Sequence, residues 1–149
     1  MSKVRERSCG AVVYTQGPSG REYLLLRYGA GHWGFPKGHV EGNESDIEAA
    51  QRELTEETSI PRDKQRLIPG FMERTDYSFR RGRTLVEKEV RFFIVESATR
   101  DVTISQEHTD HVWMPFDQAI DLITFQGLKR VLRLADDFLQ NGGRLPRAF

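Results

Sequence analysis

The sequence predicts an α/β domain in which helices pack on each side of a mixed sheet, and three observations carry that expectation. Short β-rich apolar runs recur along the chain, two segments hold apolar residues at helical spacing, and strands and helices are intermixed instead of segregated. At 149 residues, with 38% hydrophobic and 30% charged side chains, the chain is expected to form one domain, residues 1–149, around a single core.

The elements follow in order. Cys9 to Thr15 and Glu22 to Arg27 read as strands, and Gln16-Gly17-Pro18-Ser19-Gly20 between them carries the turn chemistry of a hairpin. Tyr28 to Asn43 is rich in glycine, holds Pro36 and shows no helical period; it reads as a long loop of the kind that often carries function. A helix then starts at a capping box, Ser45 with Glu48, and is expected to bury Ile47, Ala50 and Leu54. It should stop near Thr58, since Pro61 cannot extend it. Leu67 to Phe79 and Lys88 to Glu96 read as strands joined through the basic turn Arg80-Arg81-Gly82-Arg83. A short strand at His111 to Met114 and a short helix at Phe116 to Ile123 come next. The last element is an amphipathic helix from Leu128 to Gln140, with Leu128, Val131, Leu132 and Ala135 as its apolar stripe and Gly142-Gly143 as its stop.

Composition narrows the functions. Lys+Arg and Asp+Glu balance at 22 each, so no global field recruits nucleic acid or an anionic membrane, and a polyanion must be met by local charge. The N-terminal Met-Ser-Lys-Val-Arg-Glu-Arg lacks the apolar run of a signal peptide and no later run is long enough to span a membrane, which makes a soluble, cytoplasmic protein the expectation. Cys9, the one cysteine, has no partner for a disulfide and is expected to be a buried thiol in a strand. Nothing in the sequence asks for an obligate protein partner.

The chemistry concentrates in the acidic helix. Glu53, Glu56 and Glu57 stand at i, i+3 and i+4, so their carboxylates share one side and repel one another by about 0.2–0.5 kcal/mol per pair. Clustered carboxylate oxygens suit hard cations such as Mg²⁺, which commonly bridges a few carboxylates to phosphates. Taken alone, the cluster reads first as an acidic solvent face partly neutralised by Arg52. Its surroundings favour the metal: Gly38 ends Trp33-Gly34-Phe35-Pro36-Lys37-Gly38, where glycine lets the main chain come close to a ligand and offer its carbonyl. Arg52 is placed to pair with Glu44, or with Glu48 in the favourable i,i+4 order, and so to fix the helix.

Gly38, Glu44, Arg52-Glu53-Leu54, Glu56-Glu57 and Ile60 resemble the Nudix box, Gly-x5-Glu-x7-Arg-Glu-U-x-Glu-Glu-x-Gly-U with U aliphatic, at eight of nine fixed positions over 23 residues. Ser59 replaces the box glycine, so it either accepts a strained left-handed backbone or the turn differs. The resemblance implies an α/β/α sandwich with a mixed central sheet and a loop-helix-loop motif. It further implies Mg²⁺ or Mn²⁺ held by Glu53, Glu56 and Glu57 with the Gly38 carbonyl, and water attack on phosphorus in a nucleoside diphosphate linked to another group.

From about Ser8 to Phe138 the chain looks most like the asymmetrical bis(5'-nucleosyl)-tetraphosphatases of animal and archaeal type. Cys9-Gly10-Ala11-Val12, Tyr23-Leu24-Leu25-Leu26, His32 to Glu41, Gly70-Phe71, Ser105-Gln106-Glu107-His108, Phe125 and Leu128-Lys129 carry that likeness. It implies a small-molecule dinucleoside polyphosphate as partner, with diadenosine tetraphosphate cut to ATP and AMP. His32, Lys37 and Lys88 would contact the polyphosphate, and Tyr77 and Phe125 would sandwich adenine. Glu107 would be general base or a further metal ligand, with Glu53 or Glu57 as the alternative base.

Plainer readings stand beside these roles. Without the resemblance Tyr77 and Phe125 read first as core or rim aromatics, Lys37 balances the glutamates, and His39, His108 and His111 lack metal-site spacing and read as structural or solvent-facing. Other Nudix substrates, namely an RNA 5' end, ADP-ribose or a diphosphoinositol polyphosphate, are rivals, although an RNA reader would carry a wider basic track with interleaved aromatics. A non-catalytic nucleotide-binding module is the alternative from another class, and it gains nothing from three mutually repelling carboxylates.

Overall fold

The computed structural model describes residues 2–143. Its strands are β1 (Ser2–Gly17), β2 (Gly20–Tyr28), β3 (Trp33–Gly34), β4 (Lys37–His39), β5 (Gln65–Arg81), β6 (Thr84–Ser97) and β7 (His108–Met114). Its helices are α1 (Asp46–Thr58), α2 (Phe116–Leu122) and α3 (Gln126–Gln140), with a 3-10 turn at Arg62–Lys64. The seven strands form one mixed sheet, in which β1 and β6 are parallel and every other pairing is antiparallel.

Two-residue alternation builds the layers. Cys9, Ala11 and Val13 of β1, Leu24 and Leu26 of β2, and Phe93 and Val95 of β6 face α1, where Ala49, Ala50 and Leu54 meet them. The intervening residues, Val12 and Tyr14, Tyr23 and Leu25, and Phe92 and Ile94, face the other side, where Val131, Leu132, Ala135 and Phe138 of α3 complete the larger core. The result is an α/β/α sandwich around a mixed sheet, as expected. Cys9 lies buried in β1, and burial with Asp46 nearby pushes its thiol up to about 12.

The sheet has a split that places the site. β1 and β2 pair only from Tyr14↔Tyr23 to Gly17↔Gly20 and then part. Into the gap comes the glycine-rich segment: β3 pairs with Leu26 and Arg27 of β2, β4 pairs with Ser8 to Gly10 of β1, and the Ala11 N–H donates to the Pro36 carbonyl at 3.1 Å. A Cβ on Gly10 would lie 2.5 Å from the Pro36 oxygen and 2.8 Å from the Lys37 Cβ, so glycine is what lets the wedge seat. The segment read as loop therefore contains two short strands, because long-range pairing supplies the order that its composition does not.

Helix α1 starts as read: Ser45 accepts from the Glu48 N–H and the Glu48 carboxylate accepts from the Ser45 N–H. Ile47 departs from the expectation, being 36% exposed, because α1 approaches the sheet through the small Ala49 and Ala50. At the other end Ser59 takes φ 63° and ψ 14°, and it is the only non-glycine at positive φ among the described residues. The turn the box glycine would make is thus kept, and the strain is borne by serine, whose hydroxyl donates to the Thr103 carbonyl at 3.1 Å. Ser59→Gly should relieve about 1 kcal/mol of left-handed strain while losing that exposed hydrogen bond. A melting temperature unchanged or raised by about 2–4 °C is expected, and a clear fall in the thermal melt would show that the Thr103 bond outweighs the strain.

Candidate active site

Arg52 organises the acidic helix. Its Nε and Nη2 donate to the two oxygens of Glu44 at 2.6 and 3.0 Å, Nη2 also donates to the His39 carbonyl at 2.9 Å, and Nη1 is shared by Glu53 and Glu56 at 3.0 Å each. The expected Arg52–Glu44 pair therefore forms, and Glu48 is occupied by its cap instead. The two-pronged bond to Glu44 fixes the guanidinium and offsets part of the repulsion among the carboxylates.

Glu53 and Glu57 are drawn inward. The Glu53 carboxylate lies against Gly38 so closely that a Cβ there would sit 2.1 Å from its carboxyl carbon. Burial raises Glu53 above the usual carboxylate range, with Arg52 opposing. Glu57 is 4% exposed, and its Oε1 accepts from the Lys37 backbone N–H at 3.0 Å. Burial pushes Glu57 up to about 8, against that hydrogen bond and with the neighbouring Glu53 and Glu107 adding to the rise.

Glu107 arrives from a loop pinned to the end of α1. The Thr103 and Ser105 N–H groups donate to the Thr58 and Glu57 carbonyls at 2.9 and 3.1 Å, which occupies two of the carbonyls that a helix end leaves free. Glu53, Glu56, Glu57 and Glu107 thereby line one cleft of 370 Å³, with Ser105 and Gln106. The cleft is open, and among the described residues no three acidic, cysteine or histidine side chains close on a point as a preformed cage.

A second cavity, of 540 Å³, adjoins it and differs in kind. Tyr28, His32, Phe35, Lys37, Thr75, Tyr77, Phe92 and Phe125 are among its lining residues. His32 stacks on Tyr28 at 4.5 Å between centroids and lies 5.2 Å from Phe125, and the Lys37 ammonium sits 5.7 Å from the Tyr28 ring. Burial pulls the Lys37 ammonium below its usual range, opposed by Glu57, Glu107 and Glu53. Tyr77 and Phe125 are 44% and 52% exposed, too open for core aromatics and well placed to cover a planar ligand. Lys37 joins the two spaces, its backbone holding Glu57 and its side chain lining the aromatic cavity.

Of the residues singled out from the sequence, the fold brings Gly38, Glu53, Glu56, Glu57 and Glu107 to the acidic cleft and His32, Lys37, Tyr77 and Phe125 to the aromatic cavity. Lys88 stands apart in a neighbouring groove, where it contacts the His39 Nε2 at 3.2 Å, with Tyr77 lining both spaces. Sequence reasoning missed Tyr28, taken only as the start of a loop. It also treated His108 without distinction, whereas its imidazole is wholly buried 3.7 Å from Glu57. Burial holds His108 below the usual histidine range, which keeps it neutral.

Comparison with known proteins gives a consistent picture. The NUDIX domain family model matches residues 5–134. The bis(5'-nucleosyl)-tetraphosphatase [asymmetrical] of Sus scrofa is 33% identical, covering 89% of this chain and 95% of the relative, and that of Rattus norvegicus is 34% identical over the same shares. The crystal structure of a C. elegans Ap4A hydrolase binary complex superposes with a TM-score of 0.82 at 28% identity, covering 91% of this chain and 98% of the other. Among the described residues no helix is long and apolar enough to cross a membrane.

The Gly38 contact generates a test within the site itself. Because the three heavy atoms nearest a Cβ there all belong to the Glu53 carboxylate, the far end of a flexible side chain, Gly38→Ala should fold with its melting temperature little changed and turn that carboxylate away from the main chain. A crystal structure of the variant with Glu53 unmoved would show that the backbone of β4 yields instead.

Proposed function

The chain belongs to the Nudix hydrolase family, and we propose that it is a Mg²⁺-dependent hydrolase of dinucleoside polyphosphates that cleaves diadenosine tetraphosphate to ATP and AMP. The observation that carries this reading is the junction at Lys37, which sets an aromatic cavity of 540 Å³, ample for a nucleobase, directly beside a cleft of four carboxylates. The relatives named as asymmetrical tetraphosphatases and as an Ap4A hydrolase support the substrate class.

The residues fit a divalent cation. Glu53, Glu56 and Glu57 offer hard oxygen donors, and Gly38 lets the main chain approach Glu53 with no side chain between. An open cleft suits Mg²⁺, or Mn²⁺ in its place, since such an ion keeps several waters and leaves room for phosphate oxygens. When bound, the cation would neutralise charge developing on the phosphates and make a bound water more acidic.

The protein's own groups supply the rest. Tyr77 and Phe125 hold one adenine between their faces, while Lys37 and His32 meet the phosphates as they leave the cavity toward the cleft. Lys88 extends the positive side beyond Tyr77. A water oxygen forms a bond to one phosphorus as the bridging P–O bond to the departing nucleotide breaks, and the electron pair leaves with that nucleotide's phosphate oxygen. The proton of the water passes to Glu107, which lines the cleft from the loop pinned to the end of α1. Little covalent work is asked of the chain, and positioning with charge neutralisation accounts for most of the acceleration.

The deciding experiment is a Mg²⁺-supported assay on diadenosine polyphosphates, ADP-ribose, triphosphorylated RNA and a diphosphoinositol polyphosphate, with products separated by chromatography. ATP plus AMP from diadenosine tetraphosphate, at the highest kcat/KM of the panel and abolished by chelation, is expected. Turnover of another substrate alone would keep the chemistry and discard the substrate, and silence throughout would leave a nucleotide-binding module. Glu56→Gln should lower kcat by orders of magnitude with the fold intact, and near-normal turnover would remove Glu56 from the site. Tyr77→Ala should weaken binding of a non-hydrolysable dinucleotide by about 1–3 kcal/mol; an unchanged Kd by calorimetry would return Tyr77 to a rim role.

A further inference from the structure

His108 is unusual among the buried polar groups. Its side chain is 0% exposed, yet its Nε2 has no hydrogen-bond partner. The nearest acceptor is Glu57 Oε1 at 3.7 Å, the same oxygen that receives the Lys37 N–H. Its other nitrogen, Nδ1, lies 3.0 Å from Ser105 Oγ, and the ring packs edge-on against Tyr28 at 4.5 Å between centroids. A buried N–H without a partner costs about 1–3 kcal/mol, so the tautomer and the direction of each bond matter.

The surroundings favour one tautomer. Ser105 Oγ accepts from the Glu107 backbone N–H at 3.4 Å and lies 3.0 Å from Nδ1, so its hydroxyl proton is free to be donated to Nδ1. A neutral imidazole that accepts at Nδ1 carries its proton on Nε2, and Nε2 points at the Glu57 carboxylate. With Glu57 ionised, as a cation ligand must be, the opposite tautomer would set a lone pair against the carboxylate. A displacement of well under 1 Å would bring Nε2–H within hydrogen-bond range of Oε1.

Building on the reading of Glu57 as a cation ligand, we propose that His108 is a positioning residue: its Nε2–H and the Lys37 N–H together claim Glu57 Oε1, so that Oε2 is presented to the cleft. The Ser105–Gln106–Glu107–His108 turn then does two things at once. It delivers Glu107 to one wall, and through Ser105 and His108 it orients the carboxylate on the other. Both walls are thereby tied to a single loop whose Ser105 N–H is itself bonded to the Glu57 carbonyl. Partners of this kind set the orientation of a ligating group without touching the metal.

The test is direct Mn²⁺ binding to the intact protein, followed by electron paramagnetic resonance without substrate, with melting temperatures recorded alongside. His108→Leu removes the donor and keeps an apolar filling against Tyr28; it should weaken Mn²⁺ by about 10-fold or more. His108→Gln returns an N–H near the position of Nε2 and should recover most of the affinity, a rescue that a packing role does not provide. Glu57→Gln is the control for the underlying reading. Loss of affinity in Glu57→Gln with wild-type affinity in His108→Leu overturns the positioning role alone, as does a His108→Gln variant as impaired as His108→Leu. Unchanged affinity in Glu57→Gln overturns the ligand reading itself. If His108→Leu does not fold, Ser105→Ala decides in its place: weakened Mn²⁺ binding with His108→Gln near wild type supports the relay, and unchanged binding overturns it.

Discussion

The parting of β1 from β2 is the constraint on which the site depends. Two strands that stayed paired beyond Tyr14 and Tyr23 would leave no place for the segment from Trp33 to His39. Because they separate, that segment enters the sheet, bonds to both neighbours, and carries Lys37 and Gly38 to the flank of α1. Gly10 and Gly38 are the two points where a side chain would obstruct this: one would strike the Pro36 carbonyl and the other the Glu53 carboxylate. The site is thus built of main chain as much as of side chains. Its precision derives from sheet pairing, which holds a short irregular segment more firmly than a free loop would be held.

Much of this was legible in the sequence, and the parts that were legible are local. The capping box, the end of α1 before Pro61 and the Glu44–Arg52 pair are set by residues within one or two turns of each other, so spacing alone exposes them. What escaped is set from a distance. β3 and β4 have two and three residues, too few for an alternating pattern, and exist only because β1 and β2 bond to them. Ser2 to Arg7 reads as charged and polar, yet it extends β1 as a parallel partner of β6. Tyr28 and His108 are eighty positions apart and acquire meaning only when β2 and β7 pair at those residues. Ile47 misled for another reason: it shares the spacing of Ala50 and Leu54, but in the first turn of α1 it stays 36% exposed while those two are buried.

Electrostatically, α1 carries more negative charge than its own stability would choose. Arg52 compensates part of it, sharing Nη1 between Glu53 and Glu56 while its other nitrogens are held by Glu44 and the His39 carbonyl. Glu57 lies beyond its reach and is buried, which is why it rises furthest among the cleft carboxylates whose shifts are resolved. The two groups nearest its Oε1 are the Lys37 N–H and the His108 ring, neither of which carries a full charge at neutral pH. The protein therefore orients this group with dipoles, and the rise to about 8 shows that its ionised form is costly in isolation, an arrangement apt for a carboxyl group that gives up its proton when a cation binds.

The balance of 22 basic and 22 acidic residues conceals how sharply charge is sorted at the site. On one side of the Lys37 backbone stand four carboxylates, and on the other a half-buried lysine whose ammonium lies among aromatic rings. A molecule that is planar and weakly polar at one end and multiply anionic further along matches that sorting; under the proposed function its base enters the aromatic cavity and its phosphates cross the lysine. Neither half would suffice: the carboxylates repel a bare polyanion, and the aromatic cavity alone holds a base without acting on it. The sheet split that seats Lys37 between them is what turns two unremarkable surfaces into one site.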